Sequence, residues 1–97
     1  MDQPCESLAN LPDPSAHGFL EFRYFAHEYH LMAEADKWAL VRVADARRLA
    51  WLSRTESGWV VVPPEGDGQW NDKTHRDALE AFLDDNDEWE FIAEPER

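Results

Sequence analysis

The stretch from Lys37 to Val62, KWALVRVADARRLAWLSRTESGWVVV, limits this chain more than any other. Side chains alternate from Trp38 to Val43, with Trp38 and Leu40 on one face and Ala39, Val41 and Val43 on the other. Period two with β-branched and aromatic residues is the pattern of a pleated strand. Ala44 to Arg47 interrupts the run. Alternation then resumes from Arg48 to Thr55, Leu49 and Trp51 opposing Ala50 and Leu52. Gly58 supplies the positive φ of a short hairpin loop, and Trp59 to Val62 forms a third run. Pro63 and Pro64 stop it, because neither can donate to a ladder. The expectation is a three-stranded antiparallel meander over 38–62, with Trp51 as a core residue.

A sheet must be covered, and the flanks supply candidates. Thr74, followed three residues later by Asp77, resembles a capping box, and Ala78, Leu79, Phe82 and Leu83 make a core-facing stripe behind it. A helix is expected over 74–85. The acids Asp84 and Asp85 oppose its dipole at the C-terminal end, so it should stop there, with Asn86 in the left-handed region. Trp89, Phe91 and Ala93 then alternate with Glu88, Glu90 and Ile92, which predicts an edge strand over 88–93.

The segment 19–35 reads two ways. As a helix, Phe22, Phe25, Ala26, Tyr29, Met32 and Ala33 share one stripe. As strands, Leu20, Phe22 and Tyr24 alternate with Glu21 and Arg23. No Gly, Pro or Asn breaks it, and the run Leu31 to Ala35 favours helix, so helix is the reading adopted. Residues 1–18 hold Pro4, Pro12 and Pro14 and read as a flexible arm from which Leu8 and Leu11 dock. Residues 19–97 then form a single α+β domain, an antiparallel sheet with helices on one face.

Charge bounds the function classes. The chain carries 21 acidic against 9 basic residues, a formal charge of −12. That balance repels nucleic-acid phosphates and anionic lipids and attracts basic surfaces. No apolar run approaches the roughly 18–20 residues of a membrane helix, and no leader pattern opens the chain. Cys5 is the only cysteine, which suits a reducing cytoplasm.

Candidate chemistry is thin. His27 and His30 lie three apart, one helical face, but a stable metal site needs further ligands that no Cys/His cluster supplies. From Asp84, the sixth and twelfth positions of a calcium loop fall on Trp89 and Pro95 instead of Gly and Glu. No nucleophile elbow or phosphate loop is present. Arg42, Arg47, Arg48 and Arg54 could form a basic stripe, yet pairing with surrounding carboxylates explains them better in so acidic a chain. No cofactor and no catalysis are expected.

The acidic C-terminal third carries the functional expectation. From Asp77 to Glu96 there is no lysine or arginine. Asp77, Glu80, Asp84, Asp85, Asp87, Glu88 and Glu90 would face a basic protein surface, with Trp70 as an aromatic anchor. In size and charge the chain resembles small acidic inhibitors and nucleic-acid mimics of the anti-CRISPR, anti-restriction and immunity types. No direct nucleic-acid or membrane contact is expected. The alternatives are an accessory protein forming a homodimer through its Trp-rich sheet, and a metal protein or enzyme built on His27 and His30.

Overall fold

The computed structural model describes residues 6–25, 27–65 and 68–86. Their dominant feature is one seven-stranded sheet, curled into a half-barrel, with its strands in chain order. These are β1 (Glu6–Ser7), β2 (Phe19–Tyr24), β3 (His27–Glu34), β4 (Lys37–Arg42), β5 (Arg47–Thr55), β6 (Gly58–Val62) and β7 (Trp70–Asp72). β1 runs parallel to β2, and β2 to β7 form an antiparallel meander. One helix, α1 (His75–Asp85), fills the concave side.

This overturns the expected architecture of a three-stranded meander plus a C-terminal strand packed by two helices. The segment 19–35 is not a helix. It is the β2–β3 hairpin, with Tyr24 paired to His27 across a two-residue loop and Leu20 paired to Leu31. β3 continues into β4 by a second tight turn, Glu34 pairing Lys37. Neither turn is marked by Gly, Asn or Pro. Phe25 and Ala35 instead hold the positive φ, 56° in each, so the chain reverses where composition favoured a continuing helix. The strand expected over 88–93 lies outside the described residues.

The strands form because every second residue of β2 to β6 meets the helix side. Phe22, Tyr29, Leu31, Leu40, Leu52 and Val61 are fully buried there, and Phe22 stacks on Tyr29 at 5.3 Å. Ala78, Leu79, Phe82 and Leu83 of α1 close the core from the other side. Thr74 caps the helix as expected, its Oγ1 accepting from the Asp77 amide at 3.1 Å. Asn86 does not take the left-handed conformation; its φ is −100°, and its side-chain amide donates to the Phe82 carbonyl at 2.8 Å. That bond satisfies one of the carbonyls a helix end leaves open.

Residues 6–18 lie along the β2 edge and the helix start. Leu8, Leu11 and Pro14 are buried, His75 Nε2 and the Leu11 carbonyl are 3.0 Å apart, and Arg76 donates to the Ala9 carbonyl at 2.8 Å. At the other edge Gly58, φ 152°, lies so close to Asp72 and Lys73 that a Cβ would strike backbone. Any side chain there would push β7 away.

Trp51 faces the convex side, not the core. Ala50 and Leu52 take the inner face, and Trp51 is half-buried between Lys37 Nζ at 4.9 Å and the Arg48 guanidinium at 5.5 Å. Both faces of β5 are apolar here, so alternation alone could not choose between them.

Candidate functional site: an acidic helix face and its groove

Packing fixes which side of α1 meets water. With Ala78, Leu79, Phe82 and Leu83 turned inward, Asp77, Glu80, Asp84 and Asp85 are left exposed on the outside. The 1.5 Å rise of a helix spreads Asp77 to Asp84 over about 10 Å of rigid backbone. Among the described residues none of these four carboxylates is ion-paired with Lys, Arg or His.

Two of the acids are oriented by aromatic donors from the sheet. Tyr24 donates its hydroxyl to Asp84 Oδ1 at 3.4 Å, and Trp70 donates Nε1–H to Asp85 Oδ2 at 3.2 Å. The Tyr24 phenol is pushed up to about 12 by its burial, reinforced by the negative charges of Asp84 and Glu80. It therefore stays a neutral donor across the physiological range. Trp70, expected as the anchor, is half-buried with its ring edge-on to Phe82 at 5.0 Å. It joins β7 to α1 and borders the acidic face. Asp87, Glu88 and Glu90 lie outside the described residues.

Three arginines are engaged on the sheet. Arg42 binds Asp45 through two bonds of 3.0 and 2.7 Å, which hold the Asp45 carboxyl down at about 2. Arg48 pairs with Glu34 at 2.9 Å, and Arg54 lies over the Trp59 ring at 5.6 Å. Arg47 and Arg48 border, with Arg42 and Glu65, a cleft of about 530 Å³ near the end of α1.

His27 and His30 do not converge. In a strand, positions three apart point to opposite faces. His27 lies beside Tyr29 at 6.3 Å on the core side, whereas His30 packs on Phe19 at 4.8 Å and meets Glu21 at 3.3 Å on the convex side. The shared helical face expected for them disappears with the helix. Among the described residues no group of three His, Cys, Asp or Glu could hold a metal ion.

One element that sequence reasoning missed adjoins the acidic face. Phe25, at the β2–β3 tip, is 63 % exposed in a left-handed conformation. It borders a groove of about 440 Å³ between that tip, the Ser7–Ala9 segment and α1. The signal was there only once 19–35 is a hairpin: a bulky residue in the tip of a turn has nowhere to hide.

No helix among the described residues is long and apolar enough to cross a membrane. Fold and site together define a curled, mainly antiparallel β-sheet domain with one docked acidic helix. Comparison with protein-family models, with curated proteins and with solved structures gives no match.

Proposed function

We propose that the protein is a non-catalytic binding module that docks a basic surface of another protein through the outer face of α1. One observation carries this reading: Arg42, Arg48 and Arg54 are engaged on the sheet, while among the described residues Asp77, Glu80, Asp84 and Asp85 make no ion pair and stand exposed on a rigid helix. Asp84 and Asp85 also sit in the last turn, where the helix dipole disfavours negative charge. The arrangement works against the helix and in favour of a positive partner. Fixed carboxylates of this kind steer encounter and set register. They suit a groove that otherwise holds phosphates, as an inhibitor or nucleic-acid mimic would require. The single Cys5 suits a reducing cytoplasm.

The test is partner capture at about 0.05 and about 0.5 M salt, where screening of exposed charge differs severalfold. Binding should be lost at the higher salt, and lost at both when the four acids are changed to Asn or Gln. Equal capture by that variant would refute the reading.

A second reading has its own observation. Phe19, Met32, Ala39, Trp51 and Val62 are paired in register across β2 to β6, one apolar row on the convex face. Self-association through this row would persist or strengthen in high salt.

A further inference from the structure

We propose that two copies of the chain pair back to back through the convex face of the sheet, about a two-fold axis that passes over Ala39. The proposal rests on the apolar-row reading and adds to it the symmetry of the contact and its consequence for the acidic helix. A sheet covered on one side is ordinarily polar on the other. Here Phe19, Met32, Ala39, Trp51 and Val62 lie side by side on β2 to β6. Phe19 is 48 % exposed, and Met32, Trp51 and Val62 are half-buried. A contiguous exposed apolar row of this kind marks a contact surface.

Charge identifies the occupant. The chain carries −12, so two copies repel wherever acids are in excess. On the convex side of β2 to β6, among the described residues, the charges cancel. Glu34 pairs with Arg48 at 2.9 Å, Lys37 lies over the Trp51 ring at 4.9 Å, and Arg23 lies opposite Glu28 in register. Glu21 meets His30 at 3.3 Å, so three acids are set against three permanent bases and one histidine. A basic partner is drawn to α1 instead. A balanced apolar face suits a second copy of itself.

The row is built for reciprocal contact. Ala39, on the central strand β4, is small and fully buried, and the larger Met32 and Trp51 flank it in register. A two-fold axis along β4 sets Met32 of each copy against Trp51 of the other, and Phe19 against Val62. Each contact is then made twice, as an isologous interface requires, and thioether on indole is a favourable pair. The axis also aligns the strands of the two sheets, the usual way in which sheets pack face to face. Five strands and the eight residues of β3 give a face of about 19 by 27 Å. Over two copies that is about 1,000 Å², at the lower end of specific interfaces. Because α1 covers the opposite side of each sheet, both acidic helices point outward, and the dimer presents two docking faces.

The experiment is sedimentation equilibrium of the full chain, at protein up to about 1 mM and salt of about 0.05 and about 0.5 M. The wild type should form a dimer that tightens severalfold at the higher salt, as screening removes repulsion between the copies. Met32→Glu and Trp51→Lys should each weaken it at least about tenfold, because each sets a charge against an apolar side chain. Phe19→Ser, at the most exposed end of the row, should weaken it severalfold without touching the core. Circular dichroism of the dilute variants should show the native sheet. Mixed in equal amounts, Met32→Glu and Trp51→Lys should recover a dimer, since the introduced carboxylate of one chain then meets the introduced ammonium of the other. A wild type that stays monomeric, or a dimer that the higher salt dissociates, would overturn the proposal and the apolar-row reading together. A salt-strengthened dimer whose two charge variants stay monomeric even when mixed would overturn the axis at Ala39 while leaving the row as the interface.

Discussion

The Tyr24 hydroxyl donates to Asp84 across sixty residues of chain, joining the β2–β3 hairpin to the last turn of α1 at 3.4 Å. Burial, with Asp84 and Glu80 nearby, raises this phenol to about 12 from an ordinary 10.0. The folded state therefore holds the proton more tightly than the unfolded chain. Its contribution is complete below the unfolded value of 10.0 and is lost as pH rises from there to about 12. Urea unfolding across this range should show a fall of about 1–2 kcal/mol that Tyr24→Phe largely removes. An equally steep fall in the variant would assign the alkaline limb to other groups.

Asp84 and Asp85 lie where the helix dipole is negative. Asparagine at either position keeps an oxygen for Tyr24 or Trp70 and removes the opposed charge. Asp84→Asn and Asp85→Asn should each stabilise by about 0.3–1 kcal/mol at low salt, a gain that shrinks as salt is added. Urea midpoints check this. Loss of stability would show that the charge itself holds the two aromatic donors in place.

The hairpin turns explain much of what the sequence concealed. Ala35 and Ala46 both have φ of 56°, a conformation that glycine adopts without the Cβ penalty. Ala35→Gly and Ala46→Gly should each raise stability by about 0.5–1 kcal/mol, net of the entropy glycine loses on folding. A decrease in thermal unfolding midpoint would mean that neighbouring contacts, not backbone preference, hold these turns.

Strand β5 separates what is legible in a sequence from what is not. The three runs between Lys37 and Val62 were visible because period two, a glycine and two prolines agree over that stretch. The helix was visible because its cap and its stripe agree. Phe25, Met32 and Ala33 were placed on one stripe with the buried Phe22 and Tyr29, and Leu31 was left off it, because the chain turns at Phe25 and Ala35, whose types argue against turning. Trp51 was given the wrong face because its neighbours are apolar on both sides. Leu52→Ala, which empties a fully buried site, should cost about 2–5 kcal/mol, whereas Trp51→Ala on the convex face should cost roughly 1 kcal/mol. Equal losses would place Trp51 in the core after all.

Of the candidate site, composition showed the acids but not their company. That Asp84 and Asp85 accept from Tyr24 and Trp70 depends on pairings across sixty and fifteen positions, beyond the reach of local pattern. The groove at Phe25 was hidden for the same reason, since it forms only when β2, the Ser7–Ala9 segment and α1 meet.

The most direct measurement compares two variants that lose the same negative charge in different places. One changes Asp77, Glu80, Asp84 and Asp85 to their amides; the other changes Glu28, Asp36, Glu56 and Glu65, all exposed and off the helix. Captured basic proteins, identified at low salt, should vanish with the first variant and persist with the second. Retention by both, or equal loss from both, would show that total charge or another surface governs binding, and would contradict the docking face on α1.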